Sequence, residues 1–524
     1  MSKINKKTFY ITTPIYYPSG NLHIGHLLTT TLAWVYRNFK KSQGYDTFFS
    51  TGIDEHGQKI QKKAEENNLS PQKYVDIESN KFIDLWNKLD IDYDFYSRTT
   101  NKSHEDFVLR VFDKLYKKGY IYKDKYIGLY SVSDEEYLTQ TQAILKDNKY
   151  YHPTSNHLLQ QIEEESYFFD MKKLHPWIKE FFETNPEFLT NKSTHKELMN
   201  NFLAKDLENL SITRISFDWG IKISNQKYKD DNQHVIYVWL DALFSYLSAL
   251  GIESKDDSAY KKYWKNGTER VHVLAKEIAR FHAIYWPIFL KALDINLPTK
   301  EVIHSWIITP EGKMSKSKGN VVDPIPLIEK YDNEPIKYFF SSQININNDF
   351  AFTEELLINV LNADLANNFG NLVNRTIKMI NQNFANGTNY VETNLEIIDK
   401  NILLELDNTY KKYVEYMNDF QADKALKLAI SLSSKLNEYI DLTQPWLLKN
   451  NLERLNVVLN VLLNGIYTVA LMLSIVMPKK CNLILKFLGQ KEFKKEAINA
   501  FNKFDNIAPN ATEVLFARID KQKC

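Results

Sequence analysis

Cysteine is nearly absent from this chain, which has only Cys481 and Cys524. Two thiols cannot make a disulfide framework, and they exclude a four-cysteine zinc site within one chain. A reducing, cytoplasmic setting fits. Charge of one sign is missing too, since 66 Lys and Arg stand against 65 Asp and Glu, a formal net charge of +1. No global field draws such a chain to nucleic acid, so any RNA contact must come from local patches. Met1 to Thr13 has basic residues but no apolar stretch, and a secretory signal is not expected. Long hydrophobic runs are scarce. The one that stands out, Val457–Met477, contains Asn460, Asn464, Gly465 and Ser474 and stops at Pro478. The two asparagines share one helical face, which predicts a buried bundle helix and no membrane span.

What is present is ample for globular structure. The 524 residues are 44% apolar, 25% charged and 13% aromatic. At ~150 residues per domain this is material for about three or four domains, and the aromatic content argues against disorder. Phe9-Tyr-Ile-Thr-Thr-Pro-Ile predicts a strand, Gly25 to Lys41 a helix and Thr47 to Gly52 a second strand. That order is a βαβ unit, and it implies a parallel sheet. Lys59 to Lys118 has a helical pattern. From Tyr120 to Asp231 short strand-like pieces alternate with polar loops, the texture of an insertion. His234-Val-Ile-Tyr-Val-Trp then predicts a buried strand, Val271–Ala275 another, Ile278–Ala292 a helix and Glu301–Ile308 strand again. Past Thr353 the periodicity is helical throughout, which predicts an all-α bundle.

Two motifs carry chemistry. His23-Ile24-Gly25-His26 sits between the first strand and its helix. The imidazoles share a face of the first turn, where unpaired N–H groups and the helix dipole favour an anion such as phosphate. By itself the tetrapeptide also fits an ordinary helix start. Lys313-Met-Ser-Lys-Ser-Lys-Gly-Asn320 places Lys313, Lys316 and Lys318 on a loop of small residues. Such a loop can close on a triphosphate and offset charge on a leaving pyrophosphate. By itself it also fits a solvated basic loop.

Together, in this order on a split α/β core, the two motifs resemble the HIGH and KMSKS signatures of class I aminoacyl-tRNA synthetases. Further segments narrow the resemblance to the methionyl-tRNA synthetases. They are Thr12-Thr-Pro-Ile-Tyr-Tyr-Pro-Ser-Gly-Asn-Leu, Thr51-Gly-Ile-Asp-Glu-His-Gly, Tyr237-Val-Trp-Leu-Asp-Ala, Phe281-His-Ala-Ile-Tyr-Trp-Pro, Asn368-Phe-Gly-Asn-Leu-Val-Asn-Arg and Gln444-Pro-Trp. The likeness runs from about Thr8 to about Leu488.

The resemblance implies a function, a methionine–tRNA ligase. Such an enzyme activates L-methionine with ATP to methionyl-adenylate and transfers it to the terminal adenosine of tRNA(Met), for initiation and elongation of translation. It implies that His23, Gly25, His26, Glu277, Lys313, Ser315 and Lys316 bind ATP. His23, His26, Lys313, Lys316 and Arg214 would act at the reacting centre. Asp54 would hold the amino group. Ile15, Tyr17, Trp239, Ala242, Leu243, Tyr246, Ile278 and His282 would line the side-chain pocket, where aromatic walls favour a thioether. Trp239, Ala242 and Tyr246 equally fit a core stripe by spacing. Asn371, Arg375 and Trp446 would read the anticodon, by base-edge hydrogen bonds and stacking. Mg²⁺ would accompany ATP.

Some positions depart from the family. Ser131 and Asp134 stand where many relatives have zinc-binding cysteines, and His152 and His157 with scattered carboxylates make a poor structural zinc set. No zinc is expected. Leu274-Ala275-Lys276-Glu277 replaces a usual Gly-Lys-Asp, so Ala275 is expected to remove backbone freedom near the ATP ribose. The fold expected is an α/β Rossmann-like (HUP-type) catalytic domain split by a connective insertion, followed by an all-α anticodon-binding helical bundle. Its boundaries would be 1–119 and 233–300 for the catalytic halves and 120–232 for the insertion. A linking module with the KMSKS loop would span 301–352, the bundle 353–505 and a tail 506–524. A cytoplasmic monomer without membrane contact is expected. The rivals are a different HIGH-bearing nucleotidyl transferase and a non-catalytic synthetase paralogue that binds tRNA.

Overall fold

The computed structural model describes residues 6–18, 20, 22–132, 136–138, 143–153, 155–223, 231–236, 238–314, 320–384, 387–388, 394–495 and 514–520. It divides into two units, Met1–His304 and Ser305–Cys524.

The first unit begins with β1 (Thr8–Tyr16), α1 (Ile24–Ser42) and β2 (Asp46–Ile53), the expected βαβ unit. Next come α2 (Gln58–Glu66), α3 (Pro71–Lys88), β3 (Phe95–Arg98) and α4 (Lys102–Lys117). The chain then leaves the sheet through β4 (Ile121–Ser131), β5 (Glu136–Leu138), β6 (Ile144–Lys146), β7 (Lys149–Tyr151) and β8 (Gln160–Phe169). It continues through α5 (His175–Thr184), α6 (Lys192–Leu198), β9 (Leu210–Ser211), β10 (Thr213–Arg214) and β11 (Val235–Ile236). α7 (Val238–Leu243), α8 (Ser245–Ser248), β12 (Glu269–Ala275), α9 (Trp286–Ala292) and β13 (Lys300–His304) complete it.

Five strands form one parallel sheet in the order β13-β12-β1-β2-β3. β1 is central because nearly its whole length is apolar or small and buried, which only a strand covered on both faces tolerates. The order places the change of winding direction beside β1. In such sheets ligands bind at that point, outside the carboxyl ends of the strands. Between β2 and β3 the backbones approach so closely that a Cβ on Gly52 would lie 2.1 Å from the Ser97 carbonyl oxygen. Glycine is therefore compulsory there. The insertion builds its own antiparallel sheet, β5-β4-β8-β9.

Three expectations change. The strand expected over 234–239 is only Val235–Ile236, and Trp239 lies on α7. Its partner β10 offers a two-residue ladder, and from Val238 the backbone pairs with itself as helix. The helix expected over Ile278–Ala292 is a 3-10 turn at Lys276–Ile278, a π-helical turn at Phe281–Tyr285 and then α9. Pro287 lacks an N–H and crowds the preceding turn, which the wider π turn accommodates. The boundary expected after residue 300 falls after His304. β13 is a full member of the parallel sheet, with Val302 and Ile303 in the core.

The second unit opens with a small sheet of β14 (Ile307–Thr309), β15 (Gly312–Lys313) and β16 (Phe350–Ala351), interleaved with α10 (Pro324–Tyr331) and α11 (Asn333–Gln343). Helices follow: α12 (Glu354–Val360), α13 (Asn371–Asn383), α14 (Ile397–Asn418), α15 (Ala422–Thr443), α16 (Leu452–Leu473) and α17 (Pro478–Phe487). α16 is long and apolar enough to cross a membrane, but its apolar window is wholly buried in this fold. Two of its asparagine amides donate one turn back within the helix. The Asn460 amide donates to the Asn456 carbonyl at 2.9 Å and the Asn464 amide to the Asn460 carbonyl at 2.8 Å.

Candidate active site

The carboxyl ends of four parallel strands supply the candidate site. His23, after β1, is the N-cap of α1. Its Nδ1 accepts the Gly25 N–H at 3.1 Å, and the His26 Nδ1 accepts the His23 N–H at 3.2 Å. This is a capping box built from imidazoles. Because both Nδ1 atoms accept, each ring carries its proton on Nε2 and presents a donor there. The rings stack with centroids 3.8 Å apart. Gly25 serves the cap itself, since a Cβ there would meet the His23 ring at 2.8 Å. Tyr16 holds His26 edge-on at 5.0 Å and is stacked on Phe82 at 5.6 Å. His304, at the end of β13, joins through Nε2 to Thr29 Oγ1 at 2.8 Å, and Thr29 donates to the Gly25 carbonyl at 3.1 Å.

Beside it lies an apolar and aromatic pocket. Ile15, Trp239 and Ala242 form one cluster. Trp239 lies flat on Phe281, centroids 3.7 Å apart at 7°, and edge-on to His282 at 6.1 Å. His282 donates from Nδ1 to the Ile278 carbonyl at 3.0 Å, so its Nε2 accepts the Tyr246 hydroxyl at 2.7 Å. Burial pushes the His282 imidazole down to about 4 and raises the Tyr246 phenol. The pocket wall is therefore neutral at ordinary pH. Leu243 and Tyr246 belong to the main core of the unit, with Trp239 and Ile278 packed against it. Asp54 follows β2, is buried, and is anchored by its own N–H on the Tyr16 carbonyl at 2.9 Å.

Other expected site residues stand apart from this group. Tyr17 packs on Ile60, Ala64, Tyr74 and Val75, with Lys59 over its ring at 5.6 Å. Arg214 is fully buried at the root of the insertion. Its Nη1 donates to Ser211 Oγ at 2.9 Å and to the Thr213 carbonyl at 2.6 Å, and its guanidinium lies over Tyr130 at 5.8 Å. Glu277 is exposed on the turn after β12. Ala275 has φ −82° and ψ 152°, a conformation open to any residue, so replacing glycine removes no freedom that this backbone uses.

In the second unit, β14 and β15 form a hairpin turning at Pro310-Glu311, with Gly312 opening β15 at φ +100°. Lys313 ends β15, and Asn320 returns to Thr309 Oγ1 at 3.0 Å. Ser315 and Lys316 lie outside the described residues, as does the Lys313 side chain. On α13, Asn371 is exposed, and Arg375 pairs with Asp441 near the end of α15 at 3.1 Å. Trp446 follows that end, past Gln444 in the left-handed region at φ 45°, and is 45% exposed beside Leu447.

Of the residues weighed for zinc, Asp134 is outside the described residues, and His152 Nδ1 caps the Ser155 N–H at 3.1 Å. Glu165, Asp231 and His234 bring ligand atoms within 4.8 Å of one another. Lys123 ties those carboxylates together, 2.7 Å from Glu165 and 2.5 Å from Asp231, so a cation already occupies the place a metal would take.

Comparison with known proteins decides the family. Residues 9–377 match the model for tRNA synthetases class I (M), and residues 399–520 match the anticodon-binding domain of tRNA ligases. The chain is 55% identical over 514 residues to a methionine--tRNA ligase of Mycoplasmopsis pulmonis, covering 98% of this chain and 99% of that one. The chain belongs to the methionyl-tRNA synthetases. A Bacillus subtilis methionine--tRNA ligase is 40% identical over 529 residues, covering 98% of this chain and 78% of its own. A Mycobacterium tuberculosis methionyl-tRNA synthetase, solved in complex with methionyl-adenylate, superposes with a TM-score of 0.91 at 29% identity, covering 98% and 100% of the two chains.

The methionyl-tRNA synthetase fold makes visible a group of residues beside this pocket that sequence reasoning assigned no role. Glu55 accepts from Arg98 Nε at 2.7 Å and from Thr100, while Trp219 Nε1 donates to the Glu55 carbonyl at 2.6 Å. His56 and His104 meet on Asp241. Three of these lie in segments already singled out, Asp54-Glu-His-Gly and Val238-Trp-Leu-Asp. Charged residues inside otherwise apolar family segments were the available signal.

Proposed function

We infer that this chain is a methionine–tRNA ligase acting in two steps. The methionine carboxylate attacks the α-phosphorus of ATP, giving methionyl-adenylate and pyrophosphate. A ribose hydroxyl of the terminal adenosine of tRNA(Met) then displaces AMP. What supports the reading at the level of residues is the meeting of two unlike surfaces at the strand ends. One is an N-cap with paired Nε2–H donors, suited to phosphate oxygens. The other is a neutral pocket of Ile15, Trp239, Ala242, Tyr246 and His282 beside the Asp54 carboxylate, suited to an ammonium group and a thioether.

In this reading His23 and His26 donate to ATP phosphates and Asp54 holds the amino group. The lysines of 313–318 close on the pyrophosphate, with Mg²⁺ arriving as part of the ATP substrate. No side chain needs to exchange a proton with substrate. Positioning and charge stabilisation carry the rate. Asn371, Arg375 and Trp446 read the anticodon, Trp446 by stacking a base. The enzyme works as a cytoplasmic monomer without zinc.

The test is exchange of labelled pyrophosphate into ATP, run with each amino acid and without tRNA. Methionine alone is expected to support it, and exchange with another amino acid would overturn the pocket assignment. Trp446→Ala is expected to lower tRNA charging about tenfold to a hundredfold and leave exchange intact. Equal loss of both activities would remove Trp446 from the anticodon site.

A further inference from the structure

We propose that Asp241 is a positioning residue that fixes the amino-group end of the methionine site relative to its side-chain end, an inference that rests on the function just inferred. Asp241 lies on α7 between Trp239 and Ala242, and its carboxylate is fully buried. Its Oδ2 is 2.6 Å from His56 Nδ1 and its Oδ1 is 2.6 Å from His104 Nε2. His56 belongs to the same loop after β2 as Asp54. His104 belongs to α4, and its Nδ1 meets Ser248 Oγ at 2.8 Å on α8, the helix that carries Tyr246. One carboxylate thus ties the loop bearing the amino-group ligand to the helix bearing the apolar wall, across 185 residues of sequence.

Electrostatics make the tie stiff. Burial works to raise the Asp241 carboxyl, but the two histidines outweigh it and hold it below the usual range. Burial likewise works to lower His56, and Asp241, with Glu105 and Glu55 behind it, outweighs that and raises it. Charge-assisted hydrogen bonds in a buried setting are short and strong. Trp219 braces the same loop from the other side, edge-on to His56 at 5.6 Å and bonded through its carbonyl to the Gly57 N–H at 3.2 Å. A ligand held at two ends senses the spacing between the anchors, while a ligand held at one end does not.

Asp241→Asn keeps the shape and removes the charge. In pyrophosphate exchange its KM for methionine is expected to rise about tenfold, with the KM for ATP unchanged. The decisive readout is the ratio of inhibition constants for methioninol and for its analogue lacking the amino group. In the wild type the amino group strengthens binding. In Asp241→Asn that gain is expected to shrink, with the amino-free analogue binding nearly as before. Should Asp241→Asn not fold, His104→Gln removes one anchor and is expected to show the same change, smaller. An unchanged ratio in the folded variant, or a joint rise of both KM values, overturns the proposal. Absence of methionine-dependent exchange in the wild type instead overturns the function on which it rests.

Discussion

Gly25 is confined by the ring of His23, which stands where a Cβ would need to be. Gly25→Ala should therefore swing His23 away and break its bond to the residue 25 N–H. We expect the melting temperature to fall by the equivalent of about 1 kcal/mol, as for a lost helix cap. Pyrophosphate exchange should fall by about a hundredfold, because a phosphate donor is displaced with the ring. A variant that loses stability but keeps exchange would show that the His23 ring does not touch ATP. The four-residue motif was legible in the sequence, but the use of its glycine was not. Spacing tells that two histidines share a face. It does not tell that each receives a backbone N–H on Nδ1.

Strand β13 shows how an element can be correct in kind and carry an unexpected load. Its pattern predicted a strand, and it is one, in register with β12 so that Glu301 lies opposite His272. Glu301 is fully buried, and neither carboxyl oxygen meets a protein donor among the described residues. Burial raises its pKa well above the usual carboxylate range, so it is held as the neutral acid. An unsatisfied buried polar group costs about 1–3 kcal/mol. Glu301→Met, similar in length and apolar, is expected to stabilise the chain by that order in a denaturant titration. A loss of stability would mean that the carboxyl has a partner in solution. α7 is the opposite case. The run from His234 to Trp239 reads as strand, yet the strand is only Val235–Ile236, and Val238 and Trp239 are helical. Propensity lost to the supply of neighbours, because among the described residues the paired backbone beside it, at β10 and at Ile221–Ile223, reaches no further than Ile236.

For the whole molecule, two buried neutral histidines make stability depend on pH. His282 is pushed from the ordinary 6.5 to about 4, and His272 goes further in the same direction, both through burial. Above about pH 6.5 folded and unfolded states both hold these rings neutral, and the contribution is complete. As pH falls below that, the unfolded chain takes up protons that the fold refuses. Stability drops until the folded state also titrates, near pH 4 for His282. That ring alone accounts for about 3 kcal/mol over the window. Unfolding measured at pH 7, 6 and 5 should show a steeper loss for the wild type than for His282→Gln. Equal slopes would mean that water reaches the ring.

The sequence by itself determined the family, the βαβ start and the buried character of α16, and it named candidate pocket residues. It could do so because signature segments and periodicity are local properties, carried by a few neighbouring side chains. The asparagines of α16 mark a bundle helix, and the amides of Asn460 and Asn464 donate one turn back within that helix. Only the tertiary structure decided which of those residues meet. Ile15, Trp239 and Ala242 form one wall, while Tyr17 packs elsewhere and Arg214 is folded into the base of the insertion. It alone brought Asp241 between His56 and His104. The reason is physical: a buried carboxylate is tolerated only where the folded chain supplies donors for both oxygens, and its donors lie 185 and 137 residues away.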